Sequence, residues 1–548
     1  MNKHSSHHSR SVRLTPLAAC LAIAIAAGSA GSAFAAESQL QDPGHSTPSR
    51  IILRHFLHHK DGNAKILHHG TKFAANLKSK ISKGRAAFFA LHAVPHAIRP
   101  ATTVGITSCL DDGSTGTLRD VITNAVTGDV IDLSTSGCST ITLLTGVIVT
   151  AVDDLTIKGS GPANLKIDGN ANDSIINHFG YGTLTIQDIT LTNASYGGYF
   201  ATGGAVFSSG NVAVNNSVLS NNYDYGGYAS GGAVWAAANL TISNSVISGN
   251  QVVSNKYDGT AGGAYGATGL TITNSTISGN SAAGAPYDSY YAGYGKGGGI
   301  MSVVAATISG STISGNTADY GGGAAFLQGA TISADPAVVT NSTISGNTAN
   351  GLGGAALAGF TLTMQNSTVA FNDAKYVGAG GLYLVDATQL QSTIVSNNTG
   401  YAGNGYDPNI AGADTATISG ANNLILSSGL ATPAGTITVD PNLQALADNS
   451  GVATQLHTQT HALIAGSSAL NVGNNTAGLA FDQRGTTFAR SSGTGPDIGA
   501  FELQVPRVAA VVVPVPTLST WAMGLMVGLF GLLGWRRQKT SPASRTRR

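Results

Sequence analysis

Tyrosine and aspartate recur side by side in this chain, and that pairing is the feature most able to do chemistry. The positions are Tyr223-Asp224-Tyr225, Tyr257-Asp258, Tyr287-Asp288 with Tyr290, Asp319-Tyr320, and Asp373 close to Tyr376. A tyrosine ring offers flat apolar area with a polar tip, and a carboxylate accepts hydrogen bonds from hydroxyls or ligates Ca²⁺. Together they suit a sugar ligand, with Ca²⁺ as an optional bridging ion and no other cofactor. The candidate ligand set is Tyr223, Asp224, Tyr257, Asp258, Tyr287, Asp288, Tyr290, Asp319 and Tyr320. The competing account is that the tyrosines only pack over their own glycine-rich loops. Bond-breaking chemistry finds less support. No arginine lies between Asp120 and Gln483, the lysines at 158, 166, 256, 296 and 375 are scattered, and no repeat strand carries adjacent aspartates. General acid–base catalysis needs positioned groups that perturb one another.

The pairs fall in stretches of variable length between copies of a constant unit. Leu240–Asn250 reads LTISNSVISGN and Leu270–Asn280 reads LTITNSTISGN; further copies close at Asn222, Asn316, Asn347, Asn372 and Asn397. A fixed unit with variable insertions is the signature of a solenoid. Leu240, Ile242 and Ile247 follow the two-residue period of strands, and the phase breaks at Asn244, a residue that tolerates a left-handed bend. The position after Val246 is aliphatic in every clear copy (Leu219, Ile247, Ile277, Ile313, Ile344, Val369), whereas position 246 alternates between Val and Thr. The first kind faces a core and the second, which includes Thr276 and Thr343, faces solvent. Paired glycines (Gly203-Gly204, Gly231-Gly232, Gly262-Gly263, Gly322-Gly323, Gly353-Gly354, Gly380-Gly381) precede each set of strands and permit a tight turn where stacked backbones approach. The expectation is three short strands per turn of about 25 residues, with the insertions as loops lining one edge of the rod. The asparagines should stack at one corner.

Paired glycines and closing asparagines of this kind resemble the repeats of polymorphic outer-membrane proteins and of pectate-lyase-like proteins. The resemblance implies an all-β fold, a right-handed parallel β-helix solenoid. Cys109 through Asp120 (CLDDGSTGTLRD) followed by Gly128-Asp129 resembles the N-terminal cap of exported β-helix proteins, with Leu118, Val121 and Ile122 at helical spacing to plug the first turn. Arg119 is then an ion-pair partner within the cap.

Composition agrees with this class: 548 residues, 42% apolar, 10% charged, 72 glycines, and glutamate only at Glu37 and Glu502. The net charge of +1 hides an asymmetry. Residues 104–502 hold 8 Lys/Arg against 24 Asp/Glu, a balance of −16, and residues 45–99 hold 10 against the single Asp61, a balance of +9. An acidic body argues against nucleic acid as a partner.

Residues 1–35 read as a signal peptide with basic Lys3, Arg10 and Arg13, an apolar run, and Ala33-Phe34-Ala35 before the cut. Residues 36–103 form a basic, histidine-rich flexible arm, in which Phe73–His92 allows a helix. Its histidines lack a completing ligand set, so no metal is assigned. The arm suits contact with an anionic polymer or with the acidic body. After cleavage only Cys109 and Cys138 remain, and in an exported domain they most simply form one disulfide, the alternative being two buried thiols.

The β-helix spans 104–439. Residues 440–502 resemble the choice-of-anchor Q domain, a C-terminal β-helix segment, through PNLQALADNSG, Thr460-His461, Asp482-Gln483-Arg484-Gly485 and Asp497-Ile498-Gly499-Ala500-Phe501-Glu502. Asp482, Arg484 and Asp497 are expected to form a structural salt-bridge cluster that closes the last turns. A linker at 503–515 leads to 516–548, where Pro516, Thr517, Leu518 and Trp521, an apolar run and Arg536-Arg537 are similar to the IPTL-CTERM sorting signal. That resemblance implies a transmembrane helix held transiently in the inner membrane, cleavage by an exosortase-type protease, and a two-membraned bacterium. The functional expectation is an exported, surface-sorted adhesin or matrix protein that binds polysaccharide and is not an enzyme. The alternative is a polysaccharide lyase or hydrolase of the same fold.

Overall fold

The computed structural model describes residues 99–285, 293–302, 306–323, 325–327, 337–351, 353–354, 356–358, 361–401, 405–451, 458–504 and 520–538. The signal sequence, the arm up to residue 98, Tyr287, Asp288, Tyr290, Pro516, Thr517 and Leu518 lie outside the described residues. The chain divides into two units, Met1–Gln504 and Val505–Arg548.

Strands of the first unit stack into four parallel sheets, numbered here in the order that a turn containing all four passes through them. Sheet 1 holds 12 strands from Thr103–Gly105 to Ile418–Ala421, and sheet 2 holds 11 from Thr140–Thr142 to Leu424–Ile425. Sheets 3 and 4 hold 10 each, sheet 3 starting at Ser195–Thr202 and sheet 4 at Ile148–Thr150. The result is an all-β parallel β-helix of the right-handed type, the hand that crossovers between parallel strands adopt.

Three strands per turn holds only for the first two full turns, which end in sheet 4 with Ile148–Thr150 and Ile176–His178. From Ser195 onward a fourth strand enters each turn. The stretches expected as loops therefore begin as strands: Tyr223–Ser230 pairs in register with Ser195–Thr202 and with Gln251–Ser254. The closing asparagine ties each turn to the one before, as Asn222 Oδ1 does by accepting the Ala194 N–H at 3.0 Å, and the peptide groups that follow pair with the neighbouring turn rather than remain unsatisfied.

That asparagine is fully buried in successive turns (Asn222 at 1%, Asn250, Asn280, Asn316, Asn347 and Asn372 at 0%). Asn250 Nδ2 donates to Asn280 Oδ1 at 2.9 Å and to Leu219 O at 3.0 Å, while its backbone N–H donates to the same Oδ1 at 3.0 Å. A second ladder, which the sequence pattern did not reveal, runs through Ser245, Ser275, Ser311 and Ser342; each hydroxyl oxygen accepts the N–H of the serine before it at 3.1 Å. Asn244 and Asn274 make the bend between sheets 1 and 2 with φ of 48° and 47°. At the paired glycines, a Cβ on Gly232 would come 2.1 Å from the Gly262 carbonyl oxygen, so only glycine lets those turns stack.

The N-terminal end is closed by the helix Leu118–Thr123, which buries Leu118, Val121 and Ile122. Arg119 Nε bonds Asp111 at 2.8 Å and its NH1 donates to Val147 O at 2.8 Å. Cys109 and Cys138 are bridged, with Cα atoms 5.7 Å apart.

Residues 440–502 depart from the expected β-helix segment. Among the described residues they add no turn to the solenoid, pair Leu446–Ala447 antiparallel with Thr460–His461, and run back along the outside of sheet 2. Gly499 N–H donates to Ser392 O at 2.9 Å, Ala500 N–H to Thr368 Oγ1 at 3.1 Å, and Gln483 bridges Thr343 (2.6 Å) and Thr312 (2.9 Å). This overlay corrects the exposure expected for one class of threonine. Thr276 and Ser278 are half-buried, but Thr312–Ser314 and Thr343–Ser345 are buried at all three positions, Thr343 at 0%.

In the second unit, Thr520–Gln538 is helical. No helix among the described residues is long and apolar enough to cross a membrane, so the expected transmembrane helix is not met. Its apolar part runs from 520 to 535, sixteen residues, before Arg536 and Arg537. At 1.5 Å per residue that is about 24 Å against a hydrocarbon core of about 30 Å.

Candidate functional site

Sheet 3 gathers the tyrosines but not all of the aspartates. Phe200, Tyr228 and Tyr257, from three successive turns, form a column of parallel rings: Phe200 and Tyr228 are 5.3 Å apart at 7°, and Tyr228 and Tyr257 are 4.0 Å apart at 14°. Tyr199 stands edge-on to all three and is 50% exposed. Its hydroxyl donates to the Tyr257 hydroxyl at 3.4 Å, and the Lys256 ammonium lies 5.3 Å from its ring centre. A Cβ on Gly227 would come 2.9 Å from the Tyr199 ring, so glycine there lets the ring lie close over the strand.

Rings stacked on one another have spent their faces. The groups beside the column that a ligand would meet are the Tyr199 ring, the Tyr199 and Tyr257 hydroxyls and the Lys256 ammonium; Tyr225, 40% exposed, lies in the adjacent strand opposite Gly197. Burial raises the Tyr228 pKa, helped by the Tyr257 and Tyr199 phenols, and burial with Tyr294 does the same for Tyr320. These phenols stay neutral and can donate hydrogen bonds.

The aspartates divide into three situations. Asp224 is fully buried, opposite Tyr196 in the register, and its Oδ2 accepts the Ser230 N–H at 2.9 Å. It is a strand residue of the interior and cannot meet an external ligand, which corrects its place in the candidate set. Alternation decides this, because Tyr223 and Tyr225 point the other way. Asp258 is held by Lys296 at 2.7 Å and accepts the Tyr294 N–H at 2.8 Å. Asp319 is exposed, and its Oδ2 accepts the Gly284 N–H at 3.0 Å; Tyr320 packs on Tyr294 at 4.4 Å. Among the described residues no group of three or more His, Cys, Asp or Glu side chains is placed to hold a metal ion.

Tyr199, Phe200 and Tyr228 were missed from the sequence. The motif YGGY occurs at Tyr196–Tyr199 and again at Tyr225–Tyr228, and aligning the two copies puts Tyr199 beside Tyr228. The strands instead pair Phe200 with Tyr228, one residue off. Counting from the closing asparagine, 28 residues per turn here, would have given the correct register.

Two constellations elsewhere look reactive and are sealed. His178 Nδ1 lies 2.7 Å from Ser208 Oγ and its Nε2 2.7 Å from Val152 O, but both residues are at 0% exposure. The carbonyl accepts from Nε2–H, so Nδ1 accepts the serine proton in an interior hydrogen bond with no route for substrate. In the overlay on sheet 2, the Arg484 guanidinium sits 3.8 Å from the ring centres of both Phe488 and Phe501 and its Nε bonds Asp482 at 3.0 Å. Arg490 and Glu502, both at 0%, meet at 3.1 Å. Asp497, 1% exposed, accepts N–H bonds from Asn471 and Leu503. The cluster is a buried strut of the overlay.

Residues 513–548 match the IPTL-CTERM motif. No curated protein matches the chain. Among solved structures it is similar to the crystal structure of pectate lyase Pel9A, with 14% sequence identity and a TM-score of 0.37 over 74% of this chain and 98% of that one.

Proposed function

We propose that this chain is a surface-sorted β-helix protein that binds an extracellular polysaccharide through the tyrosine cluster of sheet 3, as an adhesin or matrix component. The observation that carries the reading is the exposed Tyr199 ring, with the Tyr257 hydroxyl and the Lys256 ammonium beside it, held on a column of rings that cannot collapse. Such a group offers one apolar face and several donors, the combination a sugar needs. Surface destination rests on the IPTL-CTERM match, for which an exosortase-type protease is the expected partner and residues 1–35 the export signal.

The test is a glycan array followed by titration of each hit against the unaltered chain and the Tyr199→Ala/Tyr225→Ala variant. Affinity at least tenfold weaker with an unchanged melting temperature supports the site; equal affinity removes it. Each hit polymer is also incubated with the protein and sized. Shortened chains would establish the lyase or hydrolase alternative, and loss of binding with a chelator would give Ca²⁺ a role at Asp258 or Asp319.

A further inference from the structure

The outer side of sheet 4 is apolar along most of the rod. In its strands the first residue points into the core: Ile148, Ile176, Val206, Val234, Ile300 and Leu382 are all at 0–1% exposure. The next residue in each strand therefore points away from the core. Register places these residues in one column from Val149 to Ala411 that passes through Phe207, Trp235, Tyr265, Met301 and Tyr383. The corresponding outer column of sheet 1 is mostly threonine, as at Thr185, Thr241, Thr271 and Thr307. Phe207 and Trp235 stack at 5.3 Å, Trp235 and Tyr265 at 5.8 Å, and despite pointing outward Phe207 is 0% and Trp235 3% exposed.

We propose that the basic arm, residues 36–98, docks along this column and covers it. Four observations select that occupant. First, the chain enters at the right corner: Arg99 NH1 bonds Asp129 Oδ1 at 2.9 Å, and Gly128 N–H donates to Asp154 O in the link from sheet 4 to sheet 1. Second, charge is complementary, since the arm carries its excess of lysine and arginine while Asp153, Asp154, Asp173, Asp386 and Asp414 rim the strands of sheet 4. Third, Phe73, Leu77, Ile81 and Phe88 fall on one helical stripe with Lys78, Lys80, Lys83 and Arg85 around it. Fourth, the lengths agree: a helix over residues 73–92 is about 30 Å long, and ten stacked strands span about 43 Å. A basic amphipathic segment laid on this column lowers the charge imbalance of the acidic body and supplies the cover under which the outward-pointing Phe207 and Trp235 are buried.

Trp235 reports the contact directly. In the full chain carrying Trp521→Phe and Trp535→Phe it is the sole tryptophan. Deleting residues 36–98 from that chain should raise acrylamide quenching of Trp235 severalfold and shift its emission to the red, with the β-sheet circular dichroism retained. Leu77→Asp with Ile81→Asp in an otherwise intact arm should act in the same direction, and that pair decides the matter if the deletion abolishes the β signal. Unchanged quenching in the variants that fold would overturn the proposal. So would protection of Trp235 that persists without the arm and grows with protein concentration, because the face would then belong to a second copy.

Discussion

The side-chain oxygen of Asn280 accepts two hydrogen bonds from Asn250, one from its backbone N–H at 3.0 Å and one from its amide at 2.9 Å. Asn280 in turn donates to Ile247 O at 2.9 Å and to Asn316 Oδ1 at 2.9 Å, all without access to water. Asn280→Asp keeps the shape but turns a donor toward two acceptors into a buried negative charge. It should cost about 3 kcal/mol or more, read as a lowered denaturant midpoint. Asn244→Asp, in a bend that Asp also tolerates, should stay within about 0.5 kcal/mol.

Thr276 and Thr343 occupy equivalent places in identical Thr-Ile-Ser strands, yet only Thr343 bonds Gln483 beneath the overlay. Thr343→Ala should loosen residues 440–502, costing about 1–3 kcal/mol because Gln483 loses a buried partner. Thr276→Ala, outside the contact with Gln483, should leave residues 440–502 as firmly held as before. Limited proteolysis between residues 440 and 502 separates the two, and equal cleavage rates would show that the overlay does not depend on this contact.

The bridge between Cys109 and Cys138 spans 29 residues of the cap. Replacing both by serine should destabilise the cap by about 3–4 kcal/mol through the freedom returned to the unfolded loop. Mass spectrometry of exported protein should find neither thiol alkylatable without reductant.

Acid should weaken the overlay through His461. Burial lowers its pKa below 6.5, partly offset by its hydrogen bond to Gln444 O, and its Nε2 lies 2.7 Å from Ser345 Oγ. A base with a depressed folded pKa contributes stability that is present above about pH 6.5 and is lost as pH falls from there through the folded value. Glu502, pushed up to about 7 by burial, has the opposite sign: its contribution is present below about pH 4.5 and is lost as pH rises through 7. His461→Gln should therefore flatten the loss of stability between pH 7 and pH 5. His178, lowered for the same reason, leaves a remainder. Denaturant midpoints at the two pH values give the slope, and an undiminished slope would exclude His461.

Ala261 holds φ of 57° where Gly203, Gly231 and Gly297 sit at 73°, 75° and 65°. Ala261→Gly should stabilise the rod by about 1 kcal/mol, since a left-handed L-residue costs about 1–2 kcal/mol. The melting temperature reports it.

Much of the fold was legible because each turn repeats what a turn needs: aliphatics at period two, asparagine at the bends and corner, glycine where backbones touch. Sheet 3 was not. Tyr223–Ser230 is rich in glycine and aromatics and lacks alternation with polar residues, so it reads as a loop until its pairing partner is known. The overlay was hidden for another reason. Thr-Ile-Ser at 276–278 and at 343–345 cannot reveal which of the two is covered, because the covering residues lie more than a hundred positions away. The tyrosines of the site were legible as types, but their grouping depended on a one-residue register that the repeated YGGY disguises. Asp224 could not be assigned to the interior before the strand around it was known.

The overlay also decides where mechanical load enters. Ala500 and Gly499 are tied to Thr368 and Ser392, and Gln483 reaches Thr312, so the chain leaves Gln504 from the flank of the solenoid and not from its last turn. Tension applied beyond Gln504 must break contacts spread over the turns from Thr312 to Ser392 in shear before any strand can be peeled from the end. The terminal turn, which in a stack bound only to its neighbours would unzip first, is thereby taken out of the path of force.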